Sequence, residues 1–459
     1  MLSRCCLSLV GAALLAAPLT AQMTHHGSLT TWAHTGGSPS WTDNVTMPTT
    51  LPKSEFKTVD QLNSTTLLSY TGRVTQLKPG WYVATARIMK FKDEKGAADL
   101  SFEAIGGNGL SKRMLPAAHS IGPKDKKTGK YTRIGKWVWT PGVTFQVKAS
   151  APSVILRITN IDTKVTKQNY YFDSFRVGRI PEGKALLYES LTLSTFRSTW
   201  GAPYHTLMNP ATTSAFGVDN KLNNANLWWL WFARFGEAQK IVLQPGTYTF
   251  NFRIKTPSIG TNVVDLKYTA RVGTAKAVTR VWKAAEQPLS QWTLTPNYSF
   301  VVTAKNTDVG FSMGNTVGQK RGGYEFDAFI LRKGAYEPSG LPCKSSLGSV
   351  ILDGSIPQLG EPWSASVRNC PTAAIFMFGV QSTKIDLSKA GMTGCSLYTL
   401  PLISIAAVAT KNVASLTIPI GIQKSLIGAR WINQALVLDT KANKVGLVTS
   451  NAMKALITN

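Results

Sequence analysis

The side chains able to do acid-base, nucleophilic or metal chemistry are few and dispersed. The chain of 459 residues holds five histidines, His25, His26, His34, His119 and His205, and none stands in a metal-ligand spacing such as H-E-x-x-H. The first three fall in a Ser-, Thr- and Gly-rich start. There is no P-loop and no dinucleotide fingerprint, so nucleotide-hydrolysing and nicotinamide chemistry lack their signatures. A carboxylate pair for glycoside hydrolysis is set by space rather than by spacing. Asp219, Glu237, Asp265, Glu286, Asp308, Glu325 and Asp327 are the acids on offer between residues 219 and 327. A lyase would need a cation to neutralise a substrate carboxylate before proton abstraction, and Tyr204 and His205 with Arg234 or Arg253 are the candidates.

Binding chemistry has better material. Sugar rings present apolar C–H faces that stack on Trp and Tyr, so a binding surface needs exposed aromatics beside hydrogen-bonding groups. Of 13 Trp, three crowd together as Trp228, Trp229 and Trp231. On a strand Trp229 and Trp231 share one face and Trp228 takes the other, so either orientation exposes an aromatic. Trp139 shares a strand face with Trp137 and is a further candidate for the surface. Lys164 and Lys167 in one loop, and Lys320 and Arg321 in another, could grip carboxylate or sulfate groups, Arg321 bidentately. Lys124, Lys126, Lys127 and Lys130 form another basic run.

The elements that would position these residues are strands, and they occur twice. LKPGWY at 77–82 returns as LQPGTY at 243–248, an offset of 166, and both continue to Arg-Ile, at Arg87 and Ile88 and at Arg253 and Ile254. Trp137, Thr140, Pro141, Phe145 and Asn160 match Trp292, Thr295, Pro296, Phe300 and Asn315 at an offset of 155. Both copies close alike, YFDSF at 171–175 against EFDAF at 325–329. The period is that of a domain, not of a solenoid. Tyr248, Phe250, Phe252 and Ile254 alternate with polar residues, as do Tyr82, Ala84 and Ala86 with Val83, Thr85 and Arg87, and half-buried strands read this way. Trp137 and Trp292, equal in position with little polar company, read as core. No window sustains a capped helical period. Short strands without helices point to two stacked sheets, since a sheet must cover its apolar face with another layer.

The early Pro-Gly-x-Tyr strand, the aromatic-rich middle and the closing Phe-Asp-x-Phe strand resemble carbohydrate-binding modules of the galactose-binding-like jelly-roll kind. In the second copy Glu325 replaces the first aromatic of the closing motif. The resemblance implies a sandwich fold, and it implies that Asp173 and Asp327 could sit beside a structural calcium, a hard cation suited to oxygen ligands. No other cofactor is implied.

Beyond about Leu341 the texture changes. Pro357, Leu359-Gly360, Asp386-Leu387-Ser388, Gly394 to Tyr398, Ile418-Pro419-Ile420, Gln434-Ala435 and Ser450-Asn451-Ala452 follow in an order that resembles a module closing many exported proteins of environmental bacteria. The resemblance implies a compact β domain with a role in attachment or passage to the cell surface. The strand at 373–380 is apolar enough for burial on both faces.

Arg4, an apolar run from Cys5 to Ala17, and Leu19, Thr20 and Ala21 have the form of a secretory signal peptide cleaved before Gln22. The run is shorter than the roughly 20 residues that span hydrocarbon, and no transmembrane segment is expected after cleavage. Of five cysteines, Cys343, Cys370 and Cys395 then remain. Three pairings are open; Cys370 with Cys395, which flank the 373–380 strand, is the one carried forward, with Cys343 as the free thiol. Fifty Lys and Arg against 24 Asp and Glu give a net charge of +26. Outside a cell that charge attracts polyanions over long range.

The expected molecule is thus all-β: a signal peptide at 1–21, duplicated jelly-roll β-sandwiches at 22–182 and 183–338, and a smaller C-terminal β-sandwich at 339–459. The expected function is that of a secreted or cell-surface protein binding an acidic polysaccharide, without a specific nucleic-acid partner. The alternatives are a structural or adhesive surface protein, and an all-β polysaccharide lyase or glycoside hydrolase.

Overall fold

A computed structural model describes residues 22–29, 33–35, 41–46, 55, 58–62, 69–91, 97–107, 109–115, 117, 121, 124–125, 127–131, 133–161, 170–180, 184–190, 197–198, 205–208, 219–222, 230–232, 241–258, 263–274, 277–305, 307–316 and 324–458. The first sandwich is built on the strand that follows its Pro-Gly turn. In the front sheet Gly80–Lys90 lies beside Tyr170–Arg179. Val143–Val147 and Trp137–Trp139 pair on one side of them, and Gln22–Ser28, Thr58–Leu62 and Trp41–Thr46 extend the other. The back sheet runs Ala33–Thr35, Ser69–Val74, Val154–Asn160, Leu100–Gly106, Gly109–Leu115.

The second sandwich repeats this order. Gly246–Lys255 and Glu325–Lys333 are its central front strands, flanked by Tyr298–Val302 and Trp292–Leu294 on one side and by Leu187–Ser190, Asp219–Leu222 and His205–Met208 on the other. Thr307–Asn315, Leu266–Val272 and Val278–Trp282 form most of its back sheet. The alternation seen in the sequence is the core pattern: Tyr82, Ala84, Ala86 and Ile88 face one interior, Tyr248, Phe250, Phe252 and Ile254 the other.

The repeated motif residues build the same small structures twice. Gly80 and Gly246 hold φ of 152° and 153°, a region that side chains with a Cβ rarely adopt, so the Pro-Gly turn needs its glycine. Tyr82 donates its hydroxyl to the Lys78 carbonyl at 2.9 Å, and Tyr248 to that of Gln244 at 2.8 Å, each pinning the turn four residues upstream. The same rings stack on Phe145 and Phe300, with centroids 5.8 Å apart in both copies. The hydroxyls of Thr140 and Thr295 accept from the N–H groups of Ala86 and Phe252 at 2.9 and 3.0 Å.

The C-terminal unit is built on an eight-stranded sheet that starts at Ala335–Ser339 and ends at Ile351–Gly354, with two small two-stranded sheets, Lys344–Ser345 with Gly348–Ser349 and Ser382–Asp386 with Ser396–Thr399. The hairpin of Ile403–Thr410 and Val413–Pro419 pairs only at Ala409–Ala414 and Thr410–Val413, so the sheet folds over there around Trp363, Phe376, Val437 and Met453. Two of the motif residues of this region, Gln434 and Asn451, are buried braces. Gln434 donates to the carbonyls of Ser396 and Ser450 at 2.8 Å, and Asn451 clasps both backbone groups of Leu352. The Ala373–Gly379 strand is covered along one face and only in part on the other, where Met377 is buried but Ile375 is 39% exposed.

The cysteine pairing differs from the expectation. Cys343 is bonded to Cys395, and Cys370 is free and buried in the core. The Cys343 N–H donates to the Thr449 carbonyl while the Thr449 hydroxyl donates to the Ser396 carbonyl, so residue 343 is laid beside residue 395, with Cα atoms 5.2 Å apart. Peptide mapping without reductant is expected to link 343 to 395, and Cys370 to react with a maleimide only after unfolding. Replacing Cys343 and Cys395 with Ala should cost about 2–4 kcal/mol in urea denaturation.

Candidate functional site

The outer face of each front sheet, turned away from the core, carries the polar side chains of the central strands. In the first copy an extra residue is accommodated between Phe172 and Phe175, opposite Arg87; in the second the register shifts between Arg253, which pairs with Ala328, and Ile254, which pairs with Phe326, leaving Asp327 as the extra residue. Such a bulge re-aims a side chain. Phe172 and Phe175 both reach the core, as do Phe326 and Phe329, and the aspartate between them is turned toward the arginine of the neighbouring strand. Arg87 Nη1 donates to Asp173 Oδ2 at 2.7 Å, and Arg253 Nη1 to Asp327 Oδ2. Both aspartates are wholly buried.

Each guanidinium lies over an indole: Arg87 over Trp137 at 5.1 Å from the ring centroid, Arg253 over Trp292 at 4.8 Å. That geometry suits a cation–π contact. Both tryptophans are half-buried rather than core, at the same place in the two copies. Their neighbours differ. Met89, Tyr171 and Phe91 surround Trp137, whereas Lys255 and Glu325, an ion pair at 3.2 Å, occupy the strand positions of Met89 and Tyr171 beside Trp292.

A second ion pair occurs in the first copy. Arg176 Nη2 donates to Glu55 Oε1 at 2.6 Å and its guanidinium covers Trp139 at 4.8 Å. Glu55 Oε2 also meets His26 Nε2 at 2.8 Å and accepts from Ser174 at 2.5 Å, while the Glu55 N–H donates to Asp173 Oδ2 at 2.9 Å. Burial would raise the Glu55 carboxyl, but the His26 hydrogen bond and the Arg176 charge hold it at about 2. Burial pushes the Asp173 carboxyl up, against the Glu55 N–H and Arg87. In the second copy the positions of Trp139, Ser174 and Arg176 are Leu294, Ala328 and Ile330. These pack against Trp81, Val83 and Ile180 of the first copy, with Ala185 and Tyr188, so this end of the second face is an inter-module contact.

The residues singled out in the sequence fare unevenly. Trp139 is not a surface aromatic: it is 6% exposed beneath Arg176. Asp173 and Asp327 already have guanidinium partners, and a calcium ion there would have to displace them; among the described residues no group of three or more His, Cys, Asp or Glu could hold a metal. Arg253 is ion-paired with Asp327. Trp228, Trp229, Lys164, Lys167, Lys320, Arg321, Tyr204 and Arg234 lie outside the described residues, and Trp231 is described only as part of the strand Leu230–Phe232. Sequence reasoning missed Arg87, Arg176 and Glu55. Arg87 and Arg253 were findable, because both repeats keep an arginine on the outer face opposite their closing-strand aspartate.

No family model matches the chain, and no curated protein matches it. Among solved structures it is similar to the CBM22-1-CBM22-2 tandem domain of Xyn10C from Paenibacillus barcinonensis, at 13% identity over 69% of this chain and 98% of that one, with a TM-score of 0.26. It is similar to a family 35 carbohydrate binding module from Clostridium thermocellum, at 13% identity over 32% and 98%, TM-score 0.23. It is also similar to a structure from Sulfolobus Turreted Icosahedral Virus, at 8% identity over 88% and 87%, TM-score 0.22. These likenesses are distant. The strand order itself defines an all-β protein of tandem jelly-roll sandwiches with a C-terminal β unit.

Removing one partner of a buried ion pair strands the other charge, so Asp173→Asn and Asp327→Asn should each lower stability by about 3–5 kcal/mol in urea unfolding. Glu55 titrates below its ordinary 4.5, so its contribution is present above about pH 4.5 and lost as pH falls toward 2. Glu55→Gln should therefore lose less stability than the parent between about pH 5 and pH 3.

Proposed function

We propose that the protein is an exported polysaccharide-binding protein, drawn to acidic glycans, whose tandem sandwiches present one aromatic each. The observation that carries the reading is the pair Trp137 and Trp292: half-buried, at the same position of both copies, each backed by an arginine that a buried aspartate holds in place. An indole held against a fixed guanidinium is a preorganised platform for the C–H face of a sugar ring, and preorganisation reduces the ordering cost of binding. The net charge of +26 supports an acidic partner by long-range attraction. The apolar N-terminal run supports export, and no helix among the described residues is long and apolar enough to cross a membrane.

One observation favours the alternative of an adhesive surface protein. In the C-terminal unit Leu402, Ile403 and Val408 are 71%, 62% and 80% exposed along a segment without a charged side chain. Affinity electrophoresis against a panel of neutral and acidic polysaccharides separates the two. Retardation is expected, with Trp137→Ala and Trp292→Ala each weakening it roughly five- to tenfold, the worth of an aromatic contact of about 1 kcal/mol. Unretarded migration in every gel would leave the adhesive reading standing.

A further inference from the structure

A cleft of about 330 Å³ opens where the three units of the chain meet. That is the small end of the roughly 300–1,000 Å³ range of ligand pockets. The first sandwich contributes Trp81 from its front sheet, and Lys112 and Arg113 from the edge strand Gly109–Leu115 of its back sheet. Lys184 comes from the connector to the second sandwich, Lys333 from the end of that sandwich's closing strand, and Gln358 from the C-terminal unit. Every ionisable side chain among the described lining residues is a cation.

The cleft is braced rather than incidental. The Lys333 carbonyl accepts from Gln358 Nε2 at 3.3 Å and from the Thr458 hydroxyl at 2.9 Å, which fixes the end of the second sandwich against the third unit. Trp81 donates its indole N–H to Glu361 Oε1 at 3.2 Å, so the first unit is tied to the third and the ring is set at the cleft wall. The Thr144 hydroxyl, also in the lining, donates to the Ala185 carbonyl at 3.1 Å and holds the connector in place. Lys112, Lys184 and Lys333, drawn from three segments around one concavity, raise its positive potential, which the Glu361 carboxylate on Trp81 offsets only in part, and low-dielectric walls focus it. An anion relieves the mutual repulsion; a neutral ligand does not.

We propose that this junction cleft recognises the carboxylate or sulfate groups of an acidic polysaccharide. The inference rests on the polysaccharide reading above and adds where the charge is read, apart from the aromatic platforms. A glycan fits better than nucleic acid because the lining supplies one aromatic edge and hydroxyl groups, not the series of stacking rings on which single-stranded bases are held.

The test uses the whole mature chain with polygalacturonate, dextran sulfate, neutral dextran and duplex DNA, measured by affinity electrophoresis at low and high salt. The triple variant K112A/K184A/K333A should bind polygalacturonate or dextran sulfate at least tenfold more weakly, with a flatter salt dependence. The triple K112R/K184R/K333R should stay within twofold of the parent, and matching melting temperatures of the two triples exclude a folding defect. Unchanged polyanion binding by the alanine triple overturns the cleft while leaving the polysaccharide reading intact. Absence of retardation of the parent by any polysaccharide overturns both. Tighter parental binding to duplex DNA than to either polyanion, lost in the alanine triple, reassigns the cleft to phosphate and overturns the glycan proposal.

Discussion

A carboxylate cut off from water is tolerable only beside a cation, and the front sheet of each sandwich is organised around meeting that condition. Asp173 and Asp327 are buried, and the neighbouring strand places Arg87 and Arg253 opposite them. A regular strand could not do this while keeping its phenylalanines inside, because side chains alternate at a period of two and the paired phenylalanines stand three apart. The irregular register resolves the conflict. It leaves Phe172 and Phe175, and Phe326 and Phe329, in the two cores and sends the acid outward to its partner. The arginine then lies over Trp137 or Trp292, so core packing, strand register and the half-buried indole are consequences of one ion pair.

Duplication let the two copies spend the rest of that face differently. Around Arg176 the first copy keeps charge, with Glu55, His26 and Ser174 gathered over Trp139. The matching positions of the second copy are Ala328, Ile330 and Leu294, and they disappear against the first copy. A polar cluster and an apolar seam are alternative ways of covering the same patch of sheet. Among the described residues, the Trp137 or Trp292 end of each face stays half open.

Much of the architecture is legible in the sequence because it is periodic. Tyr248, Phe250, Phe252 and Ile254 declare a core face by alternation alone, and the two Pro-Gly-x-Tyr turns declare a repeat whose members have the same strand order. Residues judged singly were less legible. Trp139 and Trp137 share a strand face, yet one is covered and the other half open, because Arg176 and Glu55 arrive from distant segments. An aspartate in a closing strand reads equally as a metal ligand or an ion-pair member until the opposite strand is known. Cys343 meets Cys395 through backbone pairing with Thr449, which no spacing reveals. The junction cleft draws on three units at once and leaves no local pattern at all.

The hydrogen bond from Trp81 to Glu361 joins residues 280 positions apart in the chain. Synthesis at roughly 5–20 residues per second, with domains folding from the N-terminus, lets the first sandwich form well before its distant partner has been made. The last unit therefore acts as a clasp: it finds Trp81 already in place and closes the end of an assembled pair. Before that moment the edge of the indole and the connector beside it face solvent, and the nascent molecule is two finished sandwiches with an unfinished joint.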